Sequence, residues 1–132
     1  MSGESNVTDA NIRRYEAHAA STDTFGRVMC SVRDHHYVID GPAQNGCPGE
    51  EVTPGELFLS AVASCGVELL QVIARSEGLP LQGIAVTIAG EMDRARPVRA
   101  DVSLFNSVSL EFQMQGVTSH AAKVLVEKFK GR

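Results

Sequence analysis

The chemistry most open to this sequence is that of a thiol. Its cysteines are Cys30, Cys47 and Cys65. A thiolate attacks peroxides and disulfides and ligates soft metals. None of the three is spaced as Cys-x-x-Cys, which excludes a zinc knuckle or a thioredoxin-type dithiol as the reading of the spacing. Cys65 stands inside the longest apolar stretch, Leu57 to Ala74, which Ser60, Ser64, Glu68 and Gln71 interrupt. In such a setting a cysteine is by default a small buried hydrophobe. It lies well beyond the first helical turn, where a helix dipole acts, so reactivity needs a cation from another element. Arg27, Arg33 and the Arg94/Arg96/Arg99 cluster are available for that.

Glu68 follows Cys65 by one helical turn on the same flank, and a carboxylate in an apolar helix must be paired or face a cleft. Two roles stay open for it: orienting an arginine beside the thiol, or an ion pair in a dimer interface. Glu56 sits where a capping box places its carboxylate. Cys47 lies in a turn-rich loop, where it is either an incidental exposed thiol or the partner that resolves an oxidised Cys65. Cys30, on an apolar strand face, belongs to the core. His35-His36 is half a metal site, but no Cys or carboxylate cluster accompanies it at ligand spacing, and a surface hairpin explains it better. No serine elbow, phosphate-binding loop or Walker motif is present, so the sequence calls for no cofactor and no metal.

The elements that must position these residues are legible in the periodicity. Met1 to Ala10 is polar and reads as a flexible lead-in. From Asn11 to Ala20 the pattern suggests a first edge strand through Ile12, Tyr15 and Ala17. Gly26 to Val32 alternates, with Val28, Cys30 and Val32 on one face and Arg27, Met29, Ser31 and Arg33 on the other. A turn at Arg33-Asp34-His35 leads into a partner strand, His36 to Asp40, making a hairpin. The Gly41–Glu51 segment carries enough Gly, Pro and Asn to exclude regular structure. Thr53-Pro54-Gly55-Glu56 then has the composition of a helix start, with Thr53 as N-cap and Pro54 at the first helical position. That helix runs to about Ser76, where Gly78 and Pro80 stop it. Ile84, Val86 and Ile88 mark one further strand, Val108, Leu110, Phe112 and Met114 another. A charged turn, Asp93 to Arg99, lies between them. Thr118 or Ser119 caps a last helix with Ala121, Ala122, Leu125, Val126 and Phe129 as its apolar stripe.

Strands, a central helix, strands and a helix argue an α+β fold with antiparallel sheets. At 132 residues this is one domain's worth of chain, with a small aliphatic core and no Trp. The central helix is apolar nearly all round, more than one small sheet can hide, so a homodimer pairing two such helices is expected. A formal charge of −4 argues against a nucleic-acid partner, which needs a basic surface. The interrupted apolar stretch fits a core helix better than a membrane span. Nothing near the N-terminus reads as a signal peptide, which makes a cytoplasmic location the expectation. In a reducing compartment any disulfide is functional rather than structural.

The run Thr53-Pro54-Gly55-Glu56-Leu57-Phe58-Leu59-Ser60-Ala61-Val62-Ala63-Ser64-Cys65 resembles the signature of the osmotically inducible protein C (OsmC) and organic hydroperoxide resistance (Ohr) family. There a Pro-x-Glu-Leu start leads through small apolar residues to Ala-Ser-Cys or Ala-Ala-Cys. The Gly41-Pro42 loop with Gly46, the exit Gly78-Leu79-Pro80-Leu81-Gln82-Gly83-Ile84, and the strand end Gly90-Glu91-Met92-Asp93 are similar to the OsmC-like branch. The resemblance implies an intertwined homodimer in which antiparallel sheets wrap a pair of long central helices. It also implies thiol-dependent reduction of organic hydroperoxides, with Cys65 as the peroxidatic thiolate and an external dithiol as reductant. Three positions depart from the family pattern. No cysteine follows Cys65 in the chain, which ends about where a resolving cysteine is expected. Gly55 stands where catalytic Ohr members carry glutamate, while Glu56 matches the OsmC-like branch. The arginine that polarises the thiolate has only Arg27 as an approximate counterpart.

The leading expectation is therefore an OsmC-like hydroperoxide reductase using Cys65, resolved by Cys47 or an external thiol. The alternative is a non-catalytic dimer of the same fold that binds a small apolar ligand. A thiol hydrolase pairing Cys65 with His18, His36 or His120 is the third, and no motif ties a histidine to the helix.

Overall fold

The computed structural model describes residues 11–131; the expected flexible lead-in lies outside them. The chain forms two compact units, the first ending at Pro54 and the second beginning at Gly55.

The first unit is an antiparallel sheet in the order β1 (His18–Ser21), β2 (Arg27–Val32) and β3 (His35–Asp40). The hairpin expected of β2 and β3 is present, with β3 passing from exposed at His35 to buried at Asp40 rather than alternating, and the turn is one residue shorter than read. Val32 faces His35, leaving only Arg33 and Asp34 to reverse the chain, with Arg33 in the left-handed region at φ 53°. One residue of register decides what faces what across a hairpin. Here it sets Arg27 directly opposite Asp40. β1 is also shorter and later than the pattern suggested: Ile12 and Tyr15 are exposed, and pairing with β2 begins at His18. The loop after β3, expected to hold no regular structure, contains one 3₁₀ turn at Ala43–Asn45.

The second unit holds α1 (Pro54–Ser76), the hairpin β4 (Gly83–Glu91) with β5 (Ser107–Gln115), and α2 (Ser119–Lys130). Helix α1 starts at the expected proline, with Glu56 in its first turn. Gly116, at φ 93°, ends β5; a Cβ there would lie 2.5 Å from the Pro80 carbonyl oxygen, so only glycine fits. Thr118 caps α2, its hydroxyl accepting the Ala121 amide at 3.1 Å.

The core of this unit is Leu70, Ile73 and Ala74 of α1 with Leu125 of α2, walled by Leu79, Leu81, Ile84, Phe112, Met114 and Phe129. Phe112 and Phe129 meet edge-on with centroids 5.7 Å apart. Helix α1 would satisfy a membrane span by length and composition, but its Gly66–Leu70–Ile73 face is packed as in a core helix. Its other face is not covered: Phe58 and Val72 are about half exposed, at 53% and 48%. Leu70 and Leu125 are fully buried, so Leu70→Ala or Leu125→Ala should each cost about 2–5 kcal/mol in urea unfolding. Thr118→Ala should cost about 1 kcal/mol through its lost cap.

Candidate functional site

The candidate site residues fall in both units. In the second, Cys65 lies mid-way along α1 and is exposed, contrary to the buried position expected for it. Exposure follows from helix phase: Gly66 and Leu70 point into the core, and Cys65 stands beside them on the outer face. Phe58, Ala61, Cys65, Glu68 and Val72 succeed one another at three- and four-residue steps, and all are exposed. They form one stripe, apolar except at the thiol and the carboxylate. Glu68 has no ion pair among the described residues. Phe58 stacks on Phe105 with centroids 5.7 Å apart, and Phe105 also lies over Gly90 of β4. The stripe is thereby pinned at its N-terminal end to the segment entering β5. Glu56 is exposed in the first turn, where a carboxylate complements the helix N-terminus.

In the first unit Arg27 is held by two carboxylates. Its Nε donates to Asp40 Oδ1 at 2.8 Å and one terminal nitrogen to Asp40 Oδ2 at 2.9 Å. The same terminal nitrogen donates to Glu50 Oε1 at 2.8 Å. Asp40 has no exposed surface, and its Oδ2 also accepts the Glu50 and Glu51 amides at 3.0 and 2.9 Å. A buried carboxylate is tolerated only when its oxygens are satisfied in this way. The Arg27 guanidinium holds the Asp40 carboxyl well below the usual carboxylate range, the Glu51 and Glu50 amides add to this, and burial opposes it. Arg27 is raised in turn, by its bond to Asp40 first and to Glu50 second. Arg27 was the approximate candidate for polarising the thiolate; here its fork is occupied by Asp40 and Glu50.

Sequence reasoning did not single out Asp40 or Glu50. The available signal was the charged residue ending an otherwise apolar strand, Tyr37-Val38-Ile39-Asp40, opposite an arginine once the turn is counted as two residues. Cys47 shares this unit. It is half-buried, with its sulfur against Gly26 and Gly41. Cys30 is half-buried in the central strand β2, facing Tyr37 and Ala19 across the sheet. None of the three cysteines is in a disulfide. Of the histidines, His36 takes a 2.8 Å hydrogen bond with Ser31 Oγ across the hairpin, and His18 lies 3.1 Å from Glu16.

The family model described as OsmC-like protein matches residues 47–131, which include α1, both strands of the second hairpin and α2. The chain belongs to the OsmC-like family. Solved OsmC-like structures share its fold. An OsmC-like protein from Mycoplasma pneumoniae superposes with a TM-score of 0.76 at 12% identity, covering 91% of this chain and 82% of its own. An organic hydroperoxide resistance protein OsmC from Legionella pneumophila gives 0.69 at 21% identity, with 89% and 82% covered. A Vibrio cholerae protein described in terms of organic hydroperoxide resistance, with captopril bound in one of its active sites, gives 0.59 at 17% identity, with 90% and 80% covered. At these identities the agreement is one of fold. No match was found among the curated proteins.

The Asp40 carboxyl sets a pH test of the ion pair. Its pKa is lower folded than unfolded, where the ordinary value is 3.8. Its contribution is therefore complete above that value and is lost as the pH falls below about 4 toward the folded pKa. Urea midpoints followed from about pH 5 to about pH 3 should fall more steeply for wild type than for Asp40→Asn. The variant should also be less stable at neutral pH, having lost its charge opposite Arg27.

Proposed function

We propose that this OsmC-like protein is a thiol-dependent hydroperoxide reductase with Cys65 as its peroxidatic cysteine. The observation that carries the reading is the exposure of Cys65 on the outer face of α1, at the position the family signature reserves for cysteine. Relatives of the same fold described as organic hydroperoxide resistance proteins support it.

In the proposed reaction the Cys65 thiolate attacks one oxygen of the peroxide. The O–O bond breaks, the leaving alkoxide takes a proton to become an alcohol, and the sulfur is oxidised to a sulfenic acid. Phe58, Ala61 and Val72 offer an apolar surface on either side of the thiol, suited to the organic part of the peroxide. Glu68, one turn on, offers a carboxylate to orient a cation beside the sulfur. Glu56 complements the start of the helix that carries the thiol.

The exposed apolar stripe on α1 also supports a homodimer, since leaving such a surface in water costs about 25 cal/mol per Å² of apolar area. Pairing of two α1 helices would narrow access to each thiol. The protein would act in the cytoplasm, where thiol reductants are plentiful.

Two measurements check these points. Substoichiometric cumene hydroperoxide should oxidise the reduced protein rapidly, as seen by intact-mass spectrometry, and this should disappear in Cys65→Ser. If only a large excess of peroxide touches any thiol, the peroxidase reading falls. Light scattering should give a dimer for wild type and a shift towards monomer for Val72→Glu; a wild-type monomer would remove the dimer.

A further inference from the structure

A reactive Cys65 needs a cation beside it, and the uncovered face of α1 indicates where one comes from. Arg27, the arginine expected to serve, has its fork filled by Asp40 and Glu50. In the second unit Arg75 lies in the last turn of α1. Like Glu68, it is exposed and has no ion pair among the described residues. The two stand two helical turns apart, on the order of 10 Å, and so share one face without being neighbours. With Gln71 and Val72 they line an open cleft of about 450 Å³. This arrangement is self-complementary, because Glu68 and Arg75 are equally far from the point between Gln71 and Val72. A second copy of α1 laid antiparallel about a two-fold axis through that point sets each Glu68 opposite the other copy's Arg75. In the same register Cys65 comes opposite Gly78. That glycine has no side chain, and nothing lies within 4 Å of where its Cβ would be, so the thiol keeps room for a peroxide.

We infer that Arg75 of a second copy, held by Glu68, supplies the cation that keeps Cys65 as a thiolate, a conclusion that rests on the peroxidase reading above. Each site is then complete only in the pair. One copy gives the thiol and the positioning carboxylate, and the other gives the guanidinium. Within a single copy Arg75 cannot serve, because it lies about three turns, roughly 15 Å, along the helix from Cys65. Across the pair it meets Glu68, a single turn from the sulfur. There the guanidinium stabilises the charge left on sulfur when the thiol proton passes to water. Glu68 thereby fills both roles open to it in the sequence, orienting an arginine and forming an ion pair between copies.

The test uses the full chain as wild type, as Arg75→Gln, and as a mixed dimer isolated with two affinity tags after co-expression. The mixed dimer carries Arg75→Gln in one copy and Cys65→Ser in the other, so its one thiol faces its one arginine. Iodoacetamide modification of Cys65, followed by peptide mapping, gives the pH midpoint of the thiol. That midpoint should rise by about one unit in Arg75→Gln and return to the wild-type value in the mixed dimer. The rate with cumene hydroperoxide should fall and recover in step, and Arg75→Lys, which keeps the charge, should lie nearer wild type. A midpoint indifferent to Arg75→Gln overturns the inference. So does one that stays raised in the mixed dimer, because Arg75 would then act within its own copy. Light scattering reads the pairing separately: Glu68→Arg or Arg75→Glu alone should shift the protein towards monomer, and the double variant should return it to dimer. A double variant that stays monomeric contradicts the pairing. If the midpoints follow the expected pattern while peroxide leaves wild-type Cys65 unoxidised, the peroxidase reading fails and the Arg75 assignment stands.

Discussion

A carboxylate without solvent contact has to be neutralised where it sits, and much of the first unit follows from meeting that demand at Asp40. The demand is met by three groups: the Arg27 fork across the hairpin and the amides of Glu50 and Glu51 at the far end of the loop. The Asp40 amide completes the closure by donating to the Val52 carbonyl at 3.1 Å. A segment rich in Gly, Pro and Asn, with little intrinsic preference for one shape, is thus tied at both ends. Removing either charged partner would leave the other buried or half-buried without compensation, which is more damaging than never having had the pair. The chain leaves this latch at Val52 and enters α1 two residues later.

The second constraint is the apolar character of α1. One face meets the core of its own unit, through residues such as Leu70, Ile73 and Ala74. The opposite face carries Phe58, Ala61, Cys65 and Val72 into the open. The uncovered face that argues for a partner is also the face that carries the thiol, because the residue's helical phase turns it outward. Structure and proposed chemistry meet in that phase: had the cysteine stood at position 66, it would face Phe112 and Phe129 as Gly66 does.

How much of this was legible beforehand depended on how local its cause was. Helix α1 was readable nearly to the residue, since Pro54 and the Gly78-Leu79-Pro80 exit are local signals that tertiary contacts did not override. The strands β4 and β5 were readable because alternation survives when one face packs and the other does not. Strand β1 was displaced, because an edge strand's extent is set by what β2 offers for pairing. The latch was missed for a narrower reason. Counting Arg33-Asp34-His35 as the turn shifts the hairpin by one residue, which moves Asp40 away from Arg27 and hides the pair. The exposure of Cys65 was missed because an apolar stretch does not say which of its faces finds the core. The Cys65 assignment itself came from the family signature, and no periodicity could have supplied it.

The central claim is that Cys65 reacts with organic hydroperoxides as an enzyme's thiol does. The most direct test is the second-order rate constant for cumene hydroperoxide consumption by the reduced protein, compared at one pH with free cysteine and with protein carrying alkylated Cys65. The account predicts a rate well above that of free cysteine and its loss when Cys65 is blocked. A rate no greater than free cysteine's, or one that survives the blocking of Cys65, would contradict it.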